Sequence, residues 1–117
     1  MYFRNEKHRQ AFTEGMKKAD KKDKETLGAV YLLSAEPCLW RRAKQASVYG
    51  KILLNNIRLM NISEDGYILL GAAKDLKYGT KYLTLGDLSD RSLIPLKIYK
   101  LISQAIQLSR CGLAALQ

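Results

Sequence analysis

The side chains able to do covalent or acid–base chemistry are few in this chain, and their spacing does not assemble them. The single histidine, His8, falls in the first turn of a helix near the start of the sequence. A histidine there usually lies at the surface or caps the helix, and no serine or cysteine nucleophile stands beside it in sequence. Cys38 and Cys111 are far apart and neither belongs to a CxxC pair, which suits reduced thiols better than zinc or a disulfide framework. Most carboxylates sit at helix starts, where the helix dipole favours them, so no pair stands out for general acid–base work. Gly66, Gly71 and Gly79 are too widely spaced for a phosphate-binding loop, and there is neither an HExxH nor a calcium loop. The chain therefore reads as not an enzyme, with no catalytic residues, no cofactor and no metal.

Binding is the chemistry that remains. Twenty Lys and Arg against eleven Asp and Glu give a net charge of +9, which suits an acidic macromolecular partner, protein or nucleic acid. Three basic sets are visible. Lys17, Lys18, Lys21, Lys22 and Lys24 are mixed with Asp20, Asp23 and Glu25 and read as a solvated turn. Arg41, Arg42 and Lys44 share the exposed side of one helix and can hold phosphates, or can simply be a wet face. Lys97, Lys100, Ser103, Gln104, Gln107 and Arg110 line one side of the last helix, with Arg91 just before it. Lys and Ser suit phosphates there, while Gln and Arg suit base edges. Lys97 also opposes the dipole near a helix start, a cost that a bound anion would offset. The candidate nucleic-acid contacts are thus Arg41, Arg42, Lys44, Arg91, Lys97, Lys100, Gln104, Gln107 and Arg110.

Helices must position these side chains. Ser63 is a strong N-cap, Glu64 and Asp65 suit the first turn, and Gly79 suits a left-handed stop, so residues 63–79 read as a central helix. Ile68, Leu69, Ala72, Ala73 and Leu76 form its apolar arc, and Tyr67, Gly71, Lys74 and Tyr78 a second side where a neighbouring helix can pack. Asn5 caps a helix from Glu6 to Lys18, preceded by Tyr2 and Phe3 folded back as a hydrophobic staple. Asp20 or Asp23 caps a second helix reaching about Ser34. Glu36–Pro37 ends it and opens a third, with Leu39, Trp40, Ala43 and Ala46 inward. Thr84, with Asp87 three residues on, caps a short helix. The last helix runs from Pro95 to Arg110, with Ile98, Leu101, Ile102, Ala105, Ile106 and Leu108 as its apolar face and Gly112 as its stop.

Two stretches stay open. Residues 48–62 fit a helix carrying Leu53, Ile57 and Met60, or a hairpin of Tyr49–Leu54 and Ile57–Ile62 around Asn55–Asn56. Residues 83–102 have something of a helix-turn-helix look, with Leu85 and Leu88 in the first helix and Ile98, Leu101 and Ile102 in the second, although the connection is short and Pro95 is not required there. The tail after Gly112 is short and apolar, docked or frayed.

Three segments also carry a resemblance: Phe3 to Arg9, Ala35 to Trp40, and Gly66–Tyr67 through Lys77–Gly79 with Leu85–Leu88 after them. Together they resemble a family of small uncharacterised proteins of Gram-positive bacteria, often borne by prophages or conjugative elements. That resemblance implies a cytoplasmic, mainly helical accessory protein of a mobile element, and brings no site residues with it.

At 117 residues, with 47% hydrophobic and 26% charged residues, the chain suits one domain over residues 1–117. No run approaches the ~20 apolar residues of a membrane span, and the N-terminal residues lack a signal-peptide core, so the expected location is cytoplasmic, without membrane insertion. The expected fold is mainly α: five or six helices, with residues 63–79 and 95–110 as the core pair and a small β-hairpin within residues 48–62. The expected function is that of a basic, non-enzymatic accessory protein binding another macromolecule. The alternative is a DNA-binding regulator that uses residues 83–110.

Overall fold

Helix starts in this chain are set by hydrogen bonds spanning two or three residues, and the computed structural model, which describes residues 1–18 and 23–112, contains them where such bonds are available. The Asn5 side chain accepts the His8 N–H at 2.8 Å and opens α1 (Glu6–Lys18). Asp23 accepts the Thr26 N–H and opens α2 (Lys24–Leu33). Glu36 accepts the N–H groups of Cys38 and Leu39, at 3.2 and 2.8 Å, to open α3 (Pro37–Gln45) with proline in its first turn. Ser63 caps α4 (Glu64–Tyr78), and Gly79 closes it at φ 70°. Thr84 and Asp87 cap each other reciprocally around α5 (Leu85–Ser89). Pro95 lies just before α6 (Leu96–Cys111), and Gly112 ends it. Residues 19–22, where Asp20, Lys21 and Lys22 of the expected basic turn fall, and the tail at 113–117 lie outside the described residues.

The architecture is mainly α, six helices and a two-stranded hairpin among the described residues. Its centre differs from the expected pairing of residues 63–79 with 95–110. Every residue from Leu27 to Ala35 is buried, so α2 exposes no side over its last two turns. The most extensive packing in the molecule is that of α6 and α4 on α2; these two meet each other over less, and α1 and α3 cover α2's remaining sides. A helix apolar all round has no stripe to read, whereas α4 is marked at both ends by its serine cap, first-turn acids and glycine stop, which is why sequence favours α4. Gly28 allows the closest approach: a Cβ there would lie 2.9 Å from the Ala105 carbonyl and 2.3 Å from Ser109 Oγ on α6. The outer stripe of α4 is covered by no helix. Tyr82 folds over Gly71, with Lys74 against its ring at 5.4 Å, while Tyr67 and Tyr78 stay exposed.

The hairpin is present but shorter and earlier than expected. β1 (Ser47–Val48) pairs antiparallel with β2 (Lys51–Ile52) around Tyr49 and Gly50, whose φ values are 51° and 77°. Two left-handed residues in a two-residue loop match the twist of antiparallel strands, and Gly50 takes its place without steric cost. Asn55 and Asn56, expected at the turn, instead belong to a 3₁₀ turn, Leu54–Asn56, that buries Leu54. Ile57–Ile62 forms no strand.

The N-terminal residues are stapled down as expected, but around an unexpected residue. His8 is not at the surface: it is 1% exposed, packed among Phe3 at 5.2 Å and Tyr31 at 4.7 Å between ring centres. Its Nδ1 accepts the Arg4 N–H at 3.0 Å, which leaves the proton on Nε2 to donate to the Tyr31 carbonyl at 2.8 Å. The Tyr31 hydroxyl donates in turn to the Tyr2 carbonyl. The ring is therefore held neutral. Burial pushes its pKa down to about 4, with Arg4 adding to this and the Tyr31 carbonyl opposing it.

Two outcomes follow from this packing. The folded chain resists a proton on His8 that the unfolded chain takes up near its ordinary value of 6.5, so this stability is complete above that pH and is lost as pH falls toward 4. Urea titrations should show a loss of about 3 kcal/mol between pH 7 and 4, and a His8→Leu variant should show a much flatter profile in that window. Gly28→Ala should lower stability by about 1–3 kcal/mol, although alanine favours helix, because the α6 backbone stands where its methyl must go.

Candidate functional site

The carboxylates that sequence places at helix starts are mostly engaged by the backbone or by a cation. Besides the caps, Asp75 accepts from Thr80 Oγ1 and from the N–H groups of Tyr82 and Leu83, and Asp90 accepts from Ser92. Asp65 meets Arg4 at 3.4 Å and Glu6 pairs with Arg9. Among the described residues no group of three His, Cys, Asp or Glu side chains converges as a metal site would need. Both cysteines are free thiols, Cys38 half-buried and Cys111 exposed.

The basic candidates divide by helix. On α3, Arg41 is exposed with its guanidinium 3.8 Å from Cys38 Sγ, Arg42 donates to the Arg58 carbonyl at 2.8 Å, and Lys44 lies 5.7 Å from the centre of the Trp40 ring. On α6, Lys97, Lys100, Gln107 and Arg110 are exposed, with Lys100 5.8 Å from the Tyr2 ring centre, and Arg91 is exposed in the turn before the helix. α3 and α6 each pack on α2 and α4 but share no extended seam.

Gln104 must be withdrawn from the contact set. It is only 8% exposed, its Oε1 accepts the Tyr2 N–H at 3.0 Å, and its amide donates to Gln107 at 3.1 Å. The N-terminal segment covers the flank of α6 on which Gln104 lies. Ile106, expected on the buried face, is exposed instead. The outer surface of α6 is consequently mixed: Leu96 (66% exposed), Tyr99 and Ile106 are interleaved with Lys97, Lys100 and Arg110. No acidic residue occurs after Asp90.

The helix-turn-helix look of residues 83–102 does not survive as geometry. α5 is five residues long, buries none of them completely, and shares no extended seam with α6, whereas the motif needs its first helix packed firmly across its second. Leu85, which that reading places in the first helix, is 83% exposed.

A separate concavity of about 550 Å³ lies between α1, α2, α3 and the hairpin. Trp40, Ile52, Leu53 and Tyr78 give it apolar walls, and Lys44, Lys51 and Lys77 stand around it. Lys77 is already committed to Asp23 and to Thr26 Oγ1. Burial acts to raise the Asp23 carboxyl, but the hydrogen bonds from Lys77 and Thr26 outweigh it and hold the group well below the usual carboxylate range. Sequence reasoning missed this concavity because its lining comes from α1, α2, α3, α4, the hairpin and the 3₁₀ turn. The one local signal, Lys51 two residues after a left-handed turn position, identifies nothing by itself.

No family model matches the chain, and neither a curated protein nor a solved structure matches it. Among the described residues, no helix is long and apolar enough to cross a membrane.

The contrast between the two glutamines is measurable. Gln104→Ala should lower stability by about 1–2 kcal/mol in chemical denaturation, since it removes the partner of a half-buried N–H. Gln107→Ala should change it by less than about 0.5 kcal/mol.

Proposed function

We propose that this protein is a non-enzymatic, cytoplasmic accessory protein that binds another macromolecule, and that the outer face of α6 is the contact. The observation that carries the reading is the composition of that face: three exposed apolar side chains, Leu96, Tyr99 and Ile106, among the cations Lys97, Lys100 and Arg110. Exposed apolar side chains are ordinary when scattered, but here Leu96, Tyr99 and Ile106 share one outward arc of the helix with Lys100 and Arg110, and Lys97 stands on its flank. Such a face complements an acidic, amphipathic protein segment, whose apolar residues meet Leu96 and Ile106 while its carboxylates meet the lysines. A mobile-element setting, as the resemblance implies, belongs to this proposal and is compatible with a partner-binding role.

The second reading is duplex DNA, favoured by Lys97, Lys100, Gln107 and Arg110 on one exposed surface. It leaves Leu96 and Ile106 without a role, because a phosphate backbone rewards cations and polar donors. It also lacks Gln104 as a base reader.

Affinity capture from the native host with wild type, Leu96→Ser/Ile106→Ser and Lys97→Glu/Lys100→Glu separates the two. A protein partner should be weakened about tenfold or more by either double variant and should survive nuclease treatment. DNA binding should be lost with the lysine pair, persist with the apolar pair, and fall steeply with salt. No retardation of any duplex at about 50 mM salt removes the DNA reading. Recovery of free monomer alone from the host overturns the leading one.

A further inference from the structure

The concavity between α1, α2, α3 and the hairpin is independent of the α6 face, and its make-up narrows what can fill it. Its volume of about 550 Å³ is that of a small-molecule site; ligand pockets run to roughly 300–1,000 Å³, too little for a folded macromolecular partner. Trp40 comes from α3, Ile52 and Leu53 from the end of the hairpin and Tyr78 from the end of α4, so an apolar body has walls on several sides. Val30, Leu33 and Leu54 are at most 3% exposed and lie beneath its surface, so the apolar groups a ligand can reach are the edge of Trp40, the half-buried Ile52 and the exposed Leu53 and Tyr78.

The polar groups around these walls are mainly cationic. Lys44 and Lys51 line the concavity with Lys18 and Lys77, against Glu14 and Asp23. Asp23 is neutralised by Lys77, so that pair joins α2 to α4 and adds little net charge. Lys44 lies against the Trp40 ring, which places an ammonium beside the main aromatic wall.

We propose that this concavity binds a small amphipathic anion: an acyl or aromatic body against Trp40, Ile52, Leu53 and Tyr78, and a carboxylate or similar head group held by Lys44 and Lys51. A neutral apolar molecule would leave the ammonium groups without a counter-charge. A small polyanion such as inorganic phosphate would leave the apolar walls wet. Only a ligand with both parts matches both halves of the site.

The protein carries its own reporter, since Trp40 is its single tryptophan. The full chain is titrated with decanoate, below its micelle concentration, while tryptophan emission is followed, and calorimetry gives an independent isotherm. Saturable binding with one site per chain is expected, weakened about five- to tenfold in Lys44→Gln/Lys51→Gln. Decan-1-ol should bind more weakly, with no difference between wild type and that variant. Both lysines are exposed, so the variant should keep its helicity by circular dichroism. Absence of a saturable response to decanoate overturns the proposal, as does equal binding of decan-1-ol. Lys97→Glu/Lys100→Glu should leave the isotherm unchanged; if it abolishes binding instead, decanoate sits on α6 and the proposal fails.

Discussion

Leu27, Tyr31, Leu32 and Leu33 are fully buried on one short helix, and with their neighbours they leave the second half of α2 no side to present to water. A helix apolar all round is stable only when other elements enclose it, and the rest of the chain does this. α6 approaches closely where Gly28 has no side chain, α4 covers another side, and α1 and α3 flank the remainder. Tyr31 extends that constraint to the N-terminal residues. Its carbonyl takes the His8 proton and its hydroxyl reaches the Tyr2 carbonyl, so the opening segment is fixed to the same helix. Gln104 completes the connection by accepting the Tyr2 N–H from α6.

The polar chemistry of the fold follows from how its acids are used. Asp23, Glu36, Asp75, Asp87 and Asp90 all accept backbone N–H groups, and Asp23 is paired with Lys77 as well. Carboxylates engaged in this way end helices and shape turns, and they do little to balance cations elsewhere on the surface. A net charge of +9 therefore becomes local. The outer face of α6 has cations and apolar groups with no acid of its own, and the concavity behind the hairpin has more lysine than acid around it. Both features suit anionic partners, one macromolecular and one small, and they stand on different elements.

Much of what is resolvable over three residues was legible in the sequence alone. The caps at Asn5, Ser63 and Thr84, the reciprocal Asp87 contact and the left-handed Gly79 close their hydrogen bonds within one helical turn, so residue type and spacing suffice. Asp23 was one of two candidates for its helix, and the Glu36 cap was not read. The class of fold follows from those caps and from apolar periodicity, and the inward residues of α3, Leu39, Trp40 and Ala43, follow from the same periodicity. The hairpin was legible as a possibility, but its turn falls at Tyr49–Gly50, where both residues adopt positive φ, and Asn55–Asn56 lie in the 3₁₀ turn that follows.

Tertiary structure decided what depends on a distant partner. His8 has the sequence context of a surface histidine, yet Phe3 and Tyr31 enclose it. Gln104 is buried because Tyr2, 102 residues away in sequence, comes to rest on its flank of α6, while nothing arrives to cover Ile106. α2 became the centre because four other helices pack on it, and that number cannot be read from its own ten residues. Periodicity reports one element's preference for a side. Which side is finally covered, and so which basic residues stay free to meet a partner, is set by the elements that arrive there.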